Sequence, residues 1–408
     1  MAFGDSPDDK ALKDAWGVFC DKLKAAGDKV FKDYNPALPL HRADGFRFLT
    51  QNLGQAFDLA LETKDTRYPA LHAFTNPTRK LGGDNADFTY VQCWVDGNSV
   101  YRIAGNRGTA RFLNFAVQGP RSAAAYGGGA KRPLHDPFGD VPETNIFGHQ
   151  LKCTWDGSFE LYIGGPQRGP NWLPTTPGTR KLFLRQGFDS WDEVPATYRI
   201  ERVDMAEPKP LPTPKNMLDA FDWAGTFVTD MMNDWPDWSF EQGGVSKTPN
   251  VFPALDNNEA DKKRGRAIIN MYWKIAPDEA LILEFDNHPG FWALTNMGPF
   301  MVSMDYMYRQ VSYAPSRSKV DADGKVRFVF AHDDPGYHNW MDTSGFVEGH
   351  VTYRELLSQS SAAFTTKLVK RADLDKAMHP SSAKVTKEER VAQLWARFNS
   401  IRKRYAML

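Results

Sequence analysis

DGKVRFVFAHDDPGYHNWMDTSGFVEGHVTYR, residues 323–354, has a counterpart far upstream in DGSFELYIGGPQRGPNWLPTTPGTRKLFLR, residues 156–185. Both run Asp-Gly, an alternating strand, a loop, Asn-Trp, an apolar residue, Thr four positions after the Asn, Gly, a second strand and Arg. Asp-Gly before an alternating run marks a strand leaving a tight turn. Self-similarity on this scale marks a duplicated structural unit. The residues common to both copies, Asn171 and Asn339, Trp172 and Trp340, Thr175 and Thr343, are therefore expected to serve the shared fold. Aligned on the Asn, residues His332, Asp333 and Asp334 face Gly164, Gly165 and Pro166, while His338 faces Pro170 and Asp342 faces Pro174. These acids and histidines are extra to the architecture, which makes them candidates for function.

Outward from the repeat, the chain reads as mainly β with helical additions. Residues 8–63 read as helical, with Ala43, Phe46, Leu49, Leu53, Phe57 and Leu61 on one stripe. DFTYVQCWVDGNSVYRIAG (87–105) alternates around an Asp-Gly signal and predicts a hairpin. Residues 121–140, rich in Gly and Ala, predict a loop. Pro208, Pro210, Pro212 and Pro214 predict a stiff connector, followed by a helix stopped near 232 by Pro236. In the last segment Thr386 and Glu389 form a capping box, and Val391, Leu394, Trp395, Phe398 and Ile401 share a helix face. The expected organisation is a helical segment over 1–65, a first β-sandwich module over 66–207, a joint and helix over 208–235, a second module over 236–380, and a C-terminal helix over 381–408.

Composition narrows the function classes. Lys+Arg and Asp+Glu are both 50, so no basic excess favours nucleic acid. The three cysteines, Cys20, Cys93 and Cys153, are far apart and form neither a disulfide framework nor a thiolate zinc site. No signal peptide is readable and no apolar run is long enough to span a membrane, so a cytoplasmic protein without membrane or nucleic-acid partners is the expectation. The 12 Trp suit a sheet protein or a ligand site with flat walls; oligomeric state is not legible.

His332, Asp333, His338 and Asp342 are the acid/base candidates, because a histidine beside carboxylates can have its tautomer fixed and its pKa moved. Glu348 and His350 extend the cluster. The competing reading is a solvated turn whose Asp residues cap backbone. No metal is expected: there is no HExxH, and DADG (321–324) begins a calcium loop without its later ligands. In the first half, Asp84, Asn85, Tyr90, Arg102 and Arg107 are substrate-binding candidates, since Arg can hold a carboxylate or sulfate with two parallel bonds. Asn339 and Trp340 join them, although both also serve the turn. GGGAK (127–131) lacks the Ser/Thr of a phosphate-binding loop.

FWALT (291–295), the Asp-Gly at 323–324 and DPGYHNWMDTSG (334–345) together resemble the domain of unknown function 1214. DNADFTYVQCWVDGNSVYRIAGNRG (84–108) is loosely similar to the domain of unknown function 1254. The resemblance implies two jelly-roll-like β-sandwich modules in a bacterial protein associated with catabolism of small organic molecules. Many such domains carry Pro where this chain has Asp342. The resulting expectation is a cofactor-independent hydrolase or lyase acting on a small, partly apolar molecule or a sugar. The alternative is a non-catalytic carbohydrate or small-molecule binding protein.

Overall fold

The computed structural model describes residues 6–33, 35–120, 140–240, 248–253, 266–356 and 362–406. The Gly- and Ala-rich stretch, apart from Asp140, and GGGAK lie outside the described residues. The first half contributes β1 (His72–Thr75), β2 (Phe88–Trp94), β3 (Tyr101–Asn106), β4 (Phe112–Gly119), β5 (Val141–Phe147), β6 (Ser158–Ile163), β7 (Trp172–Leu173), β8 (Lys181–Gly187) and β9 (Thr197–Arg202). The second contributes β10 (Arg266–Lys274), β11 (Glu279–Asp286), β12 (Phe291–Met297), β13 (Ser312–Tyr313), β14 (Lys325–Ala331), β15 (Trp340–Asp342), β16 (Glu348–Leu356) and β17 (Thr365–Lys370).

The strand orders establish the duplication. The first half forms sheets β1-β2-β8-β4-β5 and β7-β6-β3-β9; the second forms β10-β16-β12-β13 and β15-β14-β11-β17. Apart from β1, each strand has a counterpart eight places later in the same sheet position. Both halves are β-sandwiches. Leu113, Phe115, Val117, Leu161 and Leu182 fill the first core, and Leu283, Trp292, Phe328, Phe330 and Tyr353 the second.

The Asn-Trp turns match bond for bond. Asn171 Nδ2 donates to the carbonyls of Lys152 and Glu160, both at 2.8 Å, and Lys152 N donates to its Oδ1 at 2.8 Å. Asn339 Nδ2 donates to Lys319 O at 2.7 Å and Arg327 O at 2.9 Å, and Lys319 N donates back at 2.9 Å. One amide thus closes a loop and docks a parallel strand, which explains why both copies keep it. Trp172 Nε1 donates to Gly164 O, and Trp340 Nε1 to Ala331 O. Ala331 is therefore the partner of Gly164, which shifts the loop alignment by one: His332 faces Gly165. Asn171→Ala and Asn339→Ala are each expected to lose about 1–3 kcal/mol, since buried partners are orphaned. Lying in different modules, the two losses should add, as urea unfolding of the singles and the double would show.

Three local expectations fail. β2 and β3 do not form a hairpin; they lie in different sheets. The Asp96 carboxylate accepts from Asn98 N and Ser99 Oγ and turns the chain across the sandwich. A Cβ on Gly97 would stand 1.9 Å from Thr176 O, so the glycine serves close backbone approach. The helical reading of 8–63 holds, as two helices α1 (Pro7–Asp28) and α2 (Pro39–Phe57), but the stripe does not: the buried face of α2 runs through Gly45, Phe48, Leu49, Asn52 and Ala56, with Phe46 exposed. Finally, α3 (Pro214–Phe240) continues through Pro236. A proline inside a helix sacrifices a hydrogen bond, but burial of Met231, Met232 and Pro236 holds the last turns in place. Phe19, Val30, Phe48, Leu59, Ala224 and Phe227 join α1, α2 and α3 in one apolar layer, which also takes in Phe300 of the second half.

Candidate functional site

The acid/base candidates are tied mainly into structure. His332 is held between Ile275 O (3.0 Å, to Nε2) and Thr343 Oγ1 (3.1 Å, to Nδ1). Asp334 receives Arg390 Nε at 2.9 Å and Gly336 N at 2.9 Å. Arg390 comes from the C-terminal helix (Lys387–Arg404) and also donates to His338 O. Asp342 is buried; its carboxylate accepts from Arg309 Nη1 at 3.0 Å and Ser344 N at 2.7 Å, and burial pushes its pKa up. His350 is fully enclosed in β16, where burial lowers it to about 4. His338 lines an open groove whose lining does not include His332, so the two imidazoles do not share that opening. Burial lowers the His338 pKa. Asp333 is exposed.

This gives Asp334 a structural role that the sister loop has no need of: the second copy carries a C-terminal helix on its loop, and Asp334 and the His338 carbonyl meet Arg390 of that helix. Asp333→Asn is expected to leave the melting temperature unchanged, whereas His332→Ala should lower stability by about 1–3 kcal/mol through two lost bonds. Differential scanning calorimetry distinguishes the two.

Of the first-half candidates, Arg102 pairs with Glu160 and Glu201 on an outer sheet face, and Arg107 donates to Gly148 O and Gly108 O in a turn. Neither lines either of the two openings described below. Asn85 is buried and accepts from Asp87 N and Thr295 Oγ1. Asp84 and Tyr90, in contrast, line a cavity of about 610 Å³ between the two modules.

Strand alternation builds this cavity. Phe112, Asn114, Ala116 and Gln118 of β4 point into it, as do Lys181, Phe183 and Arg185 of β8 and Phe88 and Tyr90 of β2. The residues between them, such as Leu113, Phe115 and Leu182, face the sandwich core. Asn270 of β10 and Arg354 and Leu356 of β16 supply the opposite wall. Phe88 stacks on Phe291 across the seam, with ring centroids 5.8 Å apart. Trp235 of α3 closes one side against Gly82, where a Cβ would lie 2.3 Å from the indole.

The lining carries three cations, Arg185, Arg354 and Lys181, and two carboxylates, Asp84 and Asp140. Arg185 Nη2 donates to Asn114 Oδ1 at 3.0 Å; Arg354 Nη1 donates to Tyr90 Oη at 2.9 Å, and its Nη2 to Gly83 O. Arg354 Nε is buried without a protein acceptor. Burial lowers Lys181 to about 8, against the pull of Asp140. Burial also pushes Asp140 up to about 6, although its carboxylate bonds Arg180. Arg185 and Arg354 are the residues that end the two repeat copies. Treating shared residues as scaffold alone hid them, and their recurrence was the available signal.

Among the described residues one group of potential metal ligands converges, Asp321, Asp323 and His379. Arg327 donates to Asp321 at 2.6 Å and to Asp323 at 2.6 and 3.0 Å, so a guanidinium already neutralises the two acids. Among those residues, too, no helix is long and apolar enough to cross a membrane.

Residues 275–356 match the family model described as "Protein of unknown function (DUF1214)". The whole architecture is similar to the crystal structure of an uncharacterised protein from Burkholderia cenocepacia, at 30% identity and TM-score 0.76, over 88% of this chain and 97% of that one. The chain belongs to the DUF1214 family. The DUF1214 match falls within the second module. The VPA0106 protein from Vibrio parahaemolyticus aligns over 86% of this chain and 100% of its own at 10% identity and TM-score 0.42, too distant to add to the fold argument. No curated protein matches this DUF1214 sequence.

Proposed function

We propose that the protein takes up a small organic anion with an apolar, ring-sized body in the cavity between its modules. The observation that carries this reading is the pair Arg185 and Arg354, one from each sandwich, set in a wall of Phe74, Phe88, Phe112, Phe147 and Phe183. Half-buried guanidiniums recognise carboxylate or sulfate, and the aromatic wall takes the body. A cavity of about 610 Å³ suits a ligand of that size. Such a site favours an anion over a neutral sugar.

The enzymatic reading, a hydrolase or lyase working by acid/base chemistry, draws on Lys181 and Asp140. Groups poised near neutral pH can exchange protons during turnover. In this reading the proton chemistry belongs to these two rather than to the His332–His338 loop.

The test is calorimetric titration with benzoate, phenyl sulfate and glucose. Saturable binding of the aromatic anions and none of glucose is expected. Lys181 carries its charge below pH 8 and loses it above, so anion affinity should fall as pH rises through about 8. Glucose binding with no anion binding would overturn the proposal. Release of phenol from phenyl acetate or phenyl sulfate, lost in Lys181→Met, would favour the enzyme; binding without release favours a binding protein.

A further inference from the structure

The second opening is a groove of about 490 Å³ between the C-terminal helix and the second module, separate from the cavity above. Arg317, Lys319, His338, Lys384 and Arg397 line it, with Glu389 as the only carboxylate in the lining. Glu389 is already committed: its Oε2 accepts from Thr386 N in the helix cap, at 2.7 Å. Lys384 pairs with Asp375 at 3.2 Å, while Lys319 is exposed.

The layer at and beneath the floor, to which Arg317 and Arg397 but not Arg404 contribute lining, is more unusual. Arg317, Arg397 and Arg404 are all at least nine-tenths buried, and all lie over the ring of Trp191, at 4.0, 4.9 and 5.3 Å from its centroid. They surround one fully buried carboxylate, Asp87, which approaches Arg317 Nη2 at 2.7 Å and Arg404 Nη1 at 3.7 Å. The donors of Arg397 go to neutral acceptors, Gln310, Tyr306 and Ser312. The nearby Asp189 carboxylate is used by Arg111 and Ser316 N, and Glu193 accepts from Asp189 N. Arg317 Nη1 has no protein acceptor. Buried cationic charge in excess of its partners is costly unless an anion completes it.

We infer that this groove is a binding site for a compact anion carrying a phosphate or carboxylate group, held by Arg317 at the floor and Lys319 at the mouth. Arg317 presents a donor in a fixed planar fork, which suits oxyanion geometry. Lys319 adds a mobile point charge, and the first turn of the C-terminal helix adds the positive end of its dipole. Trp191 also lines the groove and, stacked under the guanidiniums, holds them in place.

The experiment is titration of the full chain with inorganic phosphate, pyrophosphate and succinate at fixed ionic strength, followed by calorimetry. Saturable binding of one anion per chain is expected, weakened at least about tenfold in Lys319→Glu, an exposed substitution that spares the core. Arg317→Lys, which keeps the charge and loses the fork, should weaken it as well. Arg354→Gln, which alters only the cavity between the modules, should leave it unchanged. Preference for phosphate or for succinate identifies the group that is read. No saturable binding of any of the three, or equal affinity in Lys319→Glu, would overturn the inference. Loss of binding in Arg354→Gln would also overturn it, by moving the anion to the other cavity.

Discussion

Asp87→Asn is expected to destabilise the protein by about 3–5 kcal/mol, the cost of removing one partner from a buried ionic cluster. Asp87 is 0% exposed and lies just before β2, in the first module. Its partners come from elsewhere: Arg317 from the second module and Arg404 from the C-terminal helix. One carboxylate therefore joins three parts of the chain. An amide in its place keeps the shape and leaves three guanidiniums without a buried counter-charge. Urea denaturation should show a lower midpoint with an unchanged slope, while Asp286→Asn, at an exposed position, should match the wild type. Burial works to raise the Asp87 pKa, but Arg317, Arg404 and Arg397 outweigh it and hold the carboxyl below its usual range. Its contribution is thus complete above the ordinary carboxylate pKa and is lost as pH falls through the depressed one. A stability profile below pH 4 should accordingly fall less steeply in Asp87→Asn than in the wild type.

Arg354→Gln is expected to weaken binding of benzoate or phenyl sulfate by about 10- to 150-fold, the equivalent of a charged hydrogen bond at about 1.5–3 kcal/mol. Arg354 lies on β16, with Nη1 on Tyr90 Oη and Nε without a protein acceptor. Gln can keep a bond to Tyr90 but carries no charge, so loss of anion affinity with an unchanged melting temperature would separate recognition from folding. Tyr90→Phe removes the tether and should produce a smaller loss. Equal affinity in Arg354→Gln would place the anion elsewhere and defeat the proposed function.

What the sequence determined by itself was the duplication. Asp-Gly, Asn-Trp and Thr at matched spacing were enough, because a turn closed by one Asn amide needs the same few residues wherever it is built. Thr386 and Glu389 likewise marked the C-terminal helix, since a capping box is satisfied within one turn. These are local constraints, written in adjacent residues. The partners of β2 were not so legible: alternation shows that a strand has two faces, not which sheet it joins, and only the cross-sandwich turn at Asp96–Gly97 separates it from β3.

The candidate site depended wholly on tertiary contacts. The acids and histidines of 332–342 stood out because the sister loop lacks them, but Arg390, 56 residues from Asp334, supplies much of the reason for them. Tyr90 and Arg354 stand 264 residues apart and meet across the seam between modules. Arg102 and Arg354 are equally plausible anion ligands as residue types. What separates them is that Arg102 has Glu160 and Glu201 beside it, whereas Arg354 is carried by the repeat to a concave wall where its partners are the neutral Tyr90 hydroxyl and Gly83 carbonyl. Charge pairing and concavity are properties of the packed chain, and the packing of two sandwiches face to face creates them.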